Sequence, residues 1–279
     1  CLVYTHTNGG SIDQSVGTMA VYSGNIQCLY YTLQNGAKLT TNLATSAARC
    51  GHLNLLKYLH TCHCPWNETS CAEAARYGHL EILQYLHIHG CLWNNSTCLN
   101  AAYTGKLDCL QYAHQHNCPW DDRTTLNAAI EQHFDCLLYA IQNKCPIQNR
   151  IILICEKHSL FNILIEIVRI DSKWNHSIYE IFLKHKYIEG LLYMYDNTTY
   201  KCDKIDIYAA EIGNINILKY IATKYYYINY KEISFICIEN GQLECLKWSF
   251  RPTKNKKIKL EYLLQAAKYR HINILQYFI

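Results

Sequence analysis

The sequence predicts an all-α protein, a solenoid of about ten stacked helix–turn–helix repeats, and three observations support this prediction. The first is a 27-residue period, visible in Gly51-His52-Leu53, Gly78-His79-Leu80 and Gly105-Lys106-Leu107. The second is a leucine five residues after every anchor position, the glycine of these tripeptides or its equivalent. The third is a pair of small residues before most anchors. Two short helices cannot cover their own apolar faces, so such repeats must stack to bury a continuous core.

Ten anchors divide the chain. They are spaced by 27 residues up to the eighth anchor, and the last two intervals are 28 and 29 residues. The anchors are Gly24, Gly51, Gly78, Gly105, Gln132, Ser159, Lys186, Gly213, Gly241 and Arg270. We expect a single array over residues 1–279, with clear repeats in 20–145, degenerate repeats in 146–204 and clearer repeats in 205–279.

Both ends of the sequence fall inside this repeat pattern. Residues 1–6 align with residues 109–114, in the middle of a predicted helix, and the sequence stops at Ile279 within another. We therefore expect the array to be truncated at both ends and to be a segment of a longer protein.

The small-residue pair belongs to the first helix of each repeat, and its presence predicts a close approach of helix backbones. Threonine or serine at the start of this helix, as in Thr69-Ser70, Ser96-Thr97 and Thr124-Thr125, predicts the N-cap. The anchor glycine predicts a left-handed residue that ends the helix. The small pairs are Ala47-Ala48, Ala74-Ala75, Ala101-Ala102, Ala128-Ala129, Ala209-Ala210 and Ala266-Ala267.

After each anchor, apolar residues at positions +2 and +5 with a polar residue at +3 predict an amphipathic second helix of about ten residues. An aromatic residue usually stands at +7. We interpret this column as core residues with their hydroxyls near the rim, and a stacking platform for nucleic acid is the alternative. The column is Tyr31, Tyr58, Tyr85, Tyr112, Tyr139, Tyr193, Tyr220, Trp248 and Tyr277.

A Cys-Pro-Trp segment or a variant of it follows the second helix, which is predicted to end at Gly36, His63, Gly90, Asn117 and Lys144. Its tryptophans indicate packing between repeats beside the loop. This column is Trp66, Trp93, Trp120 and Trp174.

Residues 69–90 together resemble an ankyrin repeat, and the resemblance extends over essentially the whole chain. The shared elements are the threonine start, the Ala-Ala pair, Gly-His-Leu-Glu-Ile and a closing His-Gly. The family's usual period is 33 residues, so the resemblance implies ankyrin-like helix pairs whose β-hairpins are shortened or absent. The Thr-Pro-Leu-His signature is also missing. The short period with Cys-Pro-Trp resembles divergent ankyrin arrays of giant DNA viruses and some protists, which implies a viral protein in the host cytoplasm.

The resemblance implies a non-enzymatic protein–protein interaction scaffold that binds a partner protein, such as a host protein, on its concave helical face. In ankyrin arrays the two variable residues before the anchor lie on that face. The protein-binding residues implied for this chain are Arg49, Arg76, Tyr77, Tyr103, Thr104, Ile130, Glu131, Lys157, His158, Lys184, His185 and Glu211.

Two alternative functions stay open. One is the substrate-recognition arm of a ubiquitin ligase, whose adaptor motif would lie outside this segment. The other is nucleic-acid binding through the basic C-terminal half, because residues 146–279 carry a net charge of +6 against −2 for residues 1–145. A basic run at 251–259 is interpreted as a solvated loop, with nuclear import or nucleic-acid contact as alternatives. The total charge of +4 is weak, so nucleic acid is the disfavoured partner.

The 16 cysteines and 14 histidines raise the question of a metal site. Cysteine shares columns with leucine, isoleucine and alanine, and paired Cys-x-x-Cys spacing is absent. We therefore expect buried free thiols, no disulfides, no metal and no cofactor. A histidine column at +9 predicts contacts with the carbonyls at helix C-termini, and a pH-sensitive or metal-binding stripe is the alternative. This column is His6, His60, His87 and His114.

No sequence motif indicates catalysis. Phosphate-binding loops, nucleophile elbows and zinc-protease motifs are all absent, so we expect no enzyme, no catalytic residue and no small-molecule partner. Apolar runs such as Ile151–Cys155 are far shorter than the roughly 20 residues that span a bilayer. No secretory signal opens the sequence. We expect a monomeric protein in a reducing, cytoplasmic environment with no membrane partner.

Overall fold

The computed structural model describes residues 2–200, 202–224, 228–250 and 256–278, and all regular structure in these ranges is helical. The predicted all-α fold of repeated short helices is confirmed. The chain divides into two compact units, Cys1–Ile170 and Asp171–Ile279.

Unit 1 is a succession of helix pairs. In each pair the first helix, here called the A helix, carries the small residues, and the second, the B helix, follows the anchor. The helices are α1 Leu2–Thr7, α2 Gln14–Tyr22, α3 Ile26–Gln34, α4 Thr41–Cys50, α5 Leu53–Thr61, α6 Glu68–Tyr77, α7 Leu80–Ile88, α8 Asn95–Tyr103, α9 Leu107–Gln115, α10 Asp122–Ile130, α11 Phe134–Gln142, α12 Asn149–Lys157 and α13 Phe161–Ile170.

The pairs of unit 1 stack in two layers. The A helices from α2 to α12 pack each against the next, and from α5 to α13 the B helices do the same. Each A helix also packs against its own B helix. The small pairs are fully buried at 0% exposure from Ala47 to Ala129, as close packing between A helices requires. The +5 leucines Leu56, Leu83, Leu110 and Leu137 are equally buried and form the core between the layers.

Left-handed residues end both helices of a repeat, as predicted for the first helix. Gly51 and Gly78 have φ of +78° and +77° at the end of the A helix, and Gln132 adopts +61° at the same column. The B helix ends in the same way at Gly90, where φ is +78°, and at Asn117, where φ is +63°. The chain reverses direction at both positions, which keeps the two helices of a pair antiparallel.

The predicted serine and threonine N-caps are wrong. The caps of α6, α8 and α10 are Asn67, Asn94 and Asp121, whose side chains accept hydrogen bonds from the backbone N–H groups two residues later. Ser70 and Thr97 instead lie inside the helices and are fully buried. The helices therefore begin earlier than the sequence analysis placed them, because asparagine and aspartate cap as well as serine and threonine.

A histidine or glutamine at +1 connects each of several repeats to the preceding one. Nε2 of His79 donates a hydrogen bond to the carbonyl of Arg49 at 3.0 Å, and Nε2 of His52 does the same to Tyr22 at 3.3 Å. The ring of His79 lies directly over Gly51, so close that a Cβ atom there would stand 2.7 Å from Cε1. Glycine at the anchor therefore serves both the left-handed turn and this close approach.

Unit 2 contains a 3-10 turn and eight helices in the described residues. One of its A-type helices carries the buried pair Ala209-Ala210. At the +1 position, Nε2 of Gln242 and of His271 donates a hydrogen bond to the backbone carbonyls of Glu211 and Glu239, respectively. The elements are Ser172–Trp174, α14 Asn175–Lys184, α15 Ile188–Asn197, α16 Ile205–Ile212, α17 Ile215–Lys224, α18 Tyr230–Glu239, α19 Leu243–Ser249, α20 Lys256–Lys268 and α21 Ile272–Phe278.

The basic run at 251–259 differs in part from the predicted loop. Residues 251–255 lie outside the described residues. From Lys256 onward the backbone is helical and belongs to α20. The interpretation of the whole run as a loop is therefore wrong for its second part.

The anchor glycine has two roles, the left-handed turn and the close approach of the +1 ring. Substitution of Gly90, which is left-handed but not an anchor, and of the anchor Gly51 separates these roles. Gly90→Ala meets no atom within 4 Å and imposes only the left-handed conformation, so we expect the free energy of unfolding to fall by about 1 kcal/mol. Gly51→Ala also displaces the His79 ring, and we expect a loss of about 2–3 kcal/mol. Urea unfolding followed by circular dichroism measures both values. Equal losses would show that the close approach of His79 contributes nothing.

Candidate protein-binding site

The A layer of unit 1 has one open side. Each inner A helix is covered by the A helices before and after it and by its own B helix. The remaining side carries the most exposed apolar side chains of the layer, among them Tyr77 at 47%, Tyr103 at 40% and Ile130 at 40% exposure. This side therefore combines a regular helical framework with apolar surface that has no use in the core.

Most of the predicted site residues lie at this side or at its equivalent in unit 2. Arg76, Tyr77, Tyr103, Ile130, Glu131 and Lys157 are exposed, and Thr104 and His158 are half-buried. In unit 2, Lys184 and His185 are exposed and Glu211 is half-buried. The candidate site is formed by the residues of unit 1.

Several of these residues have partners within the fold. Nε of Arg49 donates to Oε2 of Glu73 at 2.8 Å, and this hydrogen bond raises the pKa of the Arg49 guanidinium. Oγ1 of Thr104 donates to the carbonyl of Arg76 at 2.6 Å, in place of the +1 histidine bond of other repeats. Arg49 and Thr104 therefore connect neighbouring A helices, and the exposed residues are the better candidates for contact with a partner.

The structure adds two rows that the sequence analysis missed. One turn before the predicted row lie Leu99, Leu126 and Leu153, the last with 64% exposure. The second row lies one further turn towards the helix N-terminus and consists of Ser96, Arg123 and Arg150. We define the A-face as these three rows on α8, α10 and α12. Its residues are Ser96, Arg123, Arg150, Leu99, Leu126, Leu153, Tyr103, Ile130 and Lys157.

The missed rows had a signal in the sequence. Leu153 precedes Lys157 by four residues and follows Arg150 by three, and these spacings place side chains on one face of a helix. The leucines were not singled out because an apolar residue in a repeat column is usually core. Their exposure depends on which side of the A helix lacks a neighbour, which the repeat pattern alone does not specify.

The B layer contains a second repeated cluster, made by the +9 histidines and the +7 tyrosines. Nδ1 of His60 accepts a hydrogen bond from the hydroxyl of Tyr85 in the next repeat at 2.8 Å. His60 also lies against Trp66, with ring centroids 4.3 Å apart. The same hydroxyl bond joins His6 to Tyr31, His87 to Tyr112 and His114 to Tyr139, at 2.8–2.9 Å.

This cluster shows that the prediction of carbonyl contacts for the +9 histidines is wrong. It supports the interpretation of the tyrosine and tryptophan columns as packing residues. The +9 histidines bond to tyrosine hydroxyls and not to helix-end carbonyls. Carbonyl contacts come from position +11, where Nδ1 of His89 and of His116 donates to the carbonyls of Tyr85 and Tyr112 at 2.8 Å. Tyr85 is half-buried and its hydroxyl is bonded, which fits packing between repeats better than base stacking.

Burial favours the neutral form of three of the +9 histidines. It lowers the pKa of His60, His87 and His114 below the ordinary value of 6.5, and the nearby His89 and His116 add to this for His60 and His87. The neutral ring suits the hydrogen bond, because Nδ1 accepts from tyrosine only when it carries no proton.

The cysteines of the described residues are free thiols, and most are buried. The loop cysteines close each helix pair: Sγ of Cys91 donates to the carbonyl of Asn67, the N-cap of the A helix, at 3.2 Å. Cys64, Cys118 and Cys145 make the same contact at 3.3 Å. Burial raises the pKa of Cys64 to about 11 and that of Cys145 to about 12. These thiols are structural.

The described residues lack both a metal-binding cluster and a membrane-spanning helix. No group of three or more His, Cys, Asp or Glu side chains there has the arrangement of a metal site. No helix there has both the length and the apolar character needed to cross a bilayer.

Comparison with protein-family models and with curated protein sequences finds no match. The ankyrin resemblance therefore rests on the residues of the chain.

The histidine cluster predicts a loss of stability in acid. Because the folded state holds His60, His87 and His114 neutral, the unfolded state binds more protons as the pH falls through 6.5. We expect the melting temperature to drop between pH 7.5 and 5.5. In a variant with all three replaced by glutamine, whose Oε1 still accepts from tyrosine, the drop should be smaller. Thermal melts followed by circular dichroism test this, and an unchanged drop would contradict it.

Burial also predicts the order of thiol reactivity. Cys28, Cys50 and Cys62 are half-buried, whereas burial raises the pKa of Cys109 and Cys136 to about 11. With a disulfide-exchange reagent at pH 8, we expect Cys28 and Cys62 to react at least tenfold faster than Cys109 and Cys136, because burial shields the latter two thiols and disfavours their reactive thiolate form. Mass spectrometry of labelled peptides maps the sites. Equally rapid labelling of Cys109 would contradict the structural assignment.

Proposed function

We propose that the chain is a non-enzymatic scaffold that recognises a partner protein through the A-face of unit 1. The observation that carries the proposal is the alignment of exposed apolar and cationic side chains on three successive helices. Tyr103, Ile130 and Leu153 are each at least 40% exposed. In a monomer much of the apolar surface of these side chains would stay in contact with water.

The A layer and the B layer contribute differently to the contacts between repeats, and this difference supports the proposal. The histidine, tyrosine, tryptophan and loop cysteine contacts that hold the repeats together involve the B layer and the loops. Residues of the A-face take little part in them, so they are free to differ from repeat to repeat. That freedom is the property that lets repeat arrays present extended recognition surfaces.

The size and composition of the face also fit protein recognition. Neighbouring helices are about 8–10 Å apart, so the A-face together with the adjoining exposed end of α6 is about 24–30 Å long. A surface of this length can supply the roughly 800 Å² per partner of a standard interface. Tyrosine and arginine, which occur at Tyr77, Tyr103, Arg76 and Arg150, are among the residues that most often dominate binding energy.

The resemblance to ankyrin arrays points to the same surface, because the variable residues of those arrays lie before the anchor. The free thiols support a cytoplasmic location as part of the proposal, since reducing compartments keep thiols reduced. The proposed partner is a protein of that compartment.

Paired substitutions test the proposal. The full chain is immobilised, and proteins captured from a eukaryotic cell extract are quantified for the wild type and for Tyr103→Ala/Ile130→Ala. We expect capture of specific partners to fall at least tenfold, because truncating buried interface anchors costs 1 kcal/mol or more each. Circular dichroism should report an intact fold, because both side chains lie outside the core.

The matched control removes exposed apolar surface from the other side of the repeats. Ile88 and Leu92 are 74% and 78% exposed, and neither lies on the A-face. Ile88→Ala/Leu92→Ala should leave capture unchanged. If capture fell equally in both variants, or in neither, the A-face would not be the binding site and the proposal would be wrong.

A further inference from the structure

We infer that the A-face takes an acidic segment of the partner chain that also carries large apolar side chains. The inference rests on the proposed function and deepens it by naming the chemistry of the partner. It comes from the order of apolar and charged residues across the face.

The decisive feature is on α12. Arg150, Leu153 and Lys157 follow one another at spacings of three and four residues, so they lie along one side of the helix. All three are exposed, Leu153 to 64%. Neither Arg150 nor Lys157 makes an ion pair in the described part of the chain. The result is an exposed leucine between two uncompensated cations, one on each side.

On α10 the same columns carry Arg123, Leu126 and Ile130. Here Arg123 is already paired, because NH2 lies 2.7 Å from Oδ2 of Asp121. On α8 the columns carry Leu99 and Tyr103 with no charge. An apolar path therefore runs across α8 and α10 and ends at the basic residues of α12.

The other end of the path is also basic. On α6 the guanidinium of Arg76 lies 6.0 Å from the ring centroid of Tyr77, and both side chains are exposed. Glu131, next to Ile130, is the exposed acidic residue beside the path. The complementary ligand therefore has apolar side chains in its centre and carboxylates near its ends.

Physical costs favour this ligand over others. Apolar side chains gain free energy by covering the exposed leucines, tyrosine and isoleucine. A neutral or basic segment in the same place would desolvate Arg150 and Lys157 without pairing them, which is unfavourable. Carboxylates instead form charge-assisted hydrogen bonds with guanidinium and ammonium groups. Nucleic acid would satisfy the charges but leave Leu126 and Leu153 without an apolar partner.

Selection of displayed random peptides on the full chain tests the inference. We expect enriched peptides to have net negative charge and at least two large apolar residues. A synthetic version of the most enriched peptide is then measured by fluorescence anisotropy. Replacing its Asp and Glu by Asn and Gln should weaken binding at least tenfold at about 150 mM salt. Enrichment of neutral or basic peptides would overturn the inference.

Charge reversal locates the contact. Arg150→Glu/Lys157→Glu should weaken binding of the acidic peptide at least tenfold. Lys38→Glu/Lys219→Glu changes the net charge by the same amount at exposed positions off the A-face and should leave binding within twofold. Equal loss in both variants would mean that the overall field, and not this face, attracts the peptide, and would overturn the inference.

Two further outcomes separate the inference from the proposed function. If the enriched peptides are not acidic but lose binding in Tyr103→Ala/Ile130→Ala, the A-face remains the binding site and the inference is wrong. If no enriched peptide depends on the A-face, both are wrong. A 20-nucleotide single strand that displaces the peptide at equal concentration would overturn the inference in favour of nucleic acid.

Discussion

The tyrosine-to-histidine hydrogen bond, which crosses four repeat boundaries of unit 1, is the interaction on which the register of those repeats depends. Apolar packing alone requires that repeats stack, but it tolerates sliding of one helix pair over the next. The hydrogen bond between His87 and Tyr112, together with the stacking of Trp93 on His87, forms at only one position of a helix pair relative to the next, and this position is the offset between repeats. The anchor glycines fit the same offset, since they leave room for the +1 side chain of the following repeat. Once the offset is fixed, the exposed columns of successive A helices align.

The sequence was sufficient for the period, the helix pairs, the left-handed anchors and the buried cysteine columns, because each is a property of one repeat. It was insufficient for contacts between repeats. His60 and Tyr85 belong to separate columns, and nothing within one repeat indicates that they meet 25 residues apart. The prediction of the N-cap residues was wrong for a related reason. Asn67 and Thr69 are both good capping residues, and the choice depends on where the preceding loop ends.

The candidate site was predictable in part, through the resemblance. It supplied the row of Tyr103, Ile130 and Lys157, but it also included Arg49, whose guanidinium is held by Glu73. It did not supply Leu153, because exposed leucine in a repeat is indistinguishable from core leucine until the open side of the helix is known. Recognition surfaces made of columns are therefore easier to locate from sequence than to assign residue by residue.

One boundary of unit 1 has neither the tyrosine-to-histidine bond nor the +1 histidine bond. Between the pair α10–α11 and the pair α12–α13, Ile141 takes the place of the bonding histidine, Glu166 that of the tyrosine and Leu160 that of the +1 histidine. In a linear array each boundary contributes its own coupling energy, and at this seam that energy comes from helix packing without these hydrogen bonds. The A-face lies across the same seam, with Ile130 on one side and Leu153 on the other. A bound partner would contact both sides of this boundary and so add a coupling that the missing hydrogen bonds do not supply.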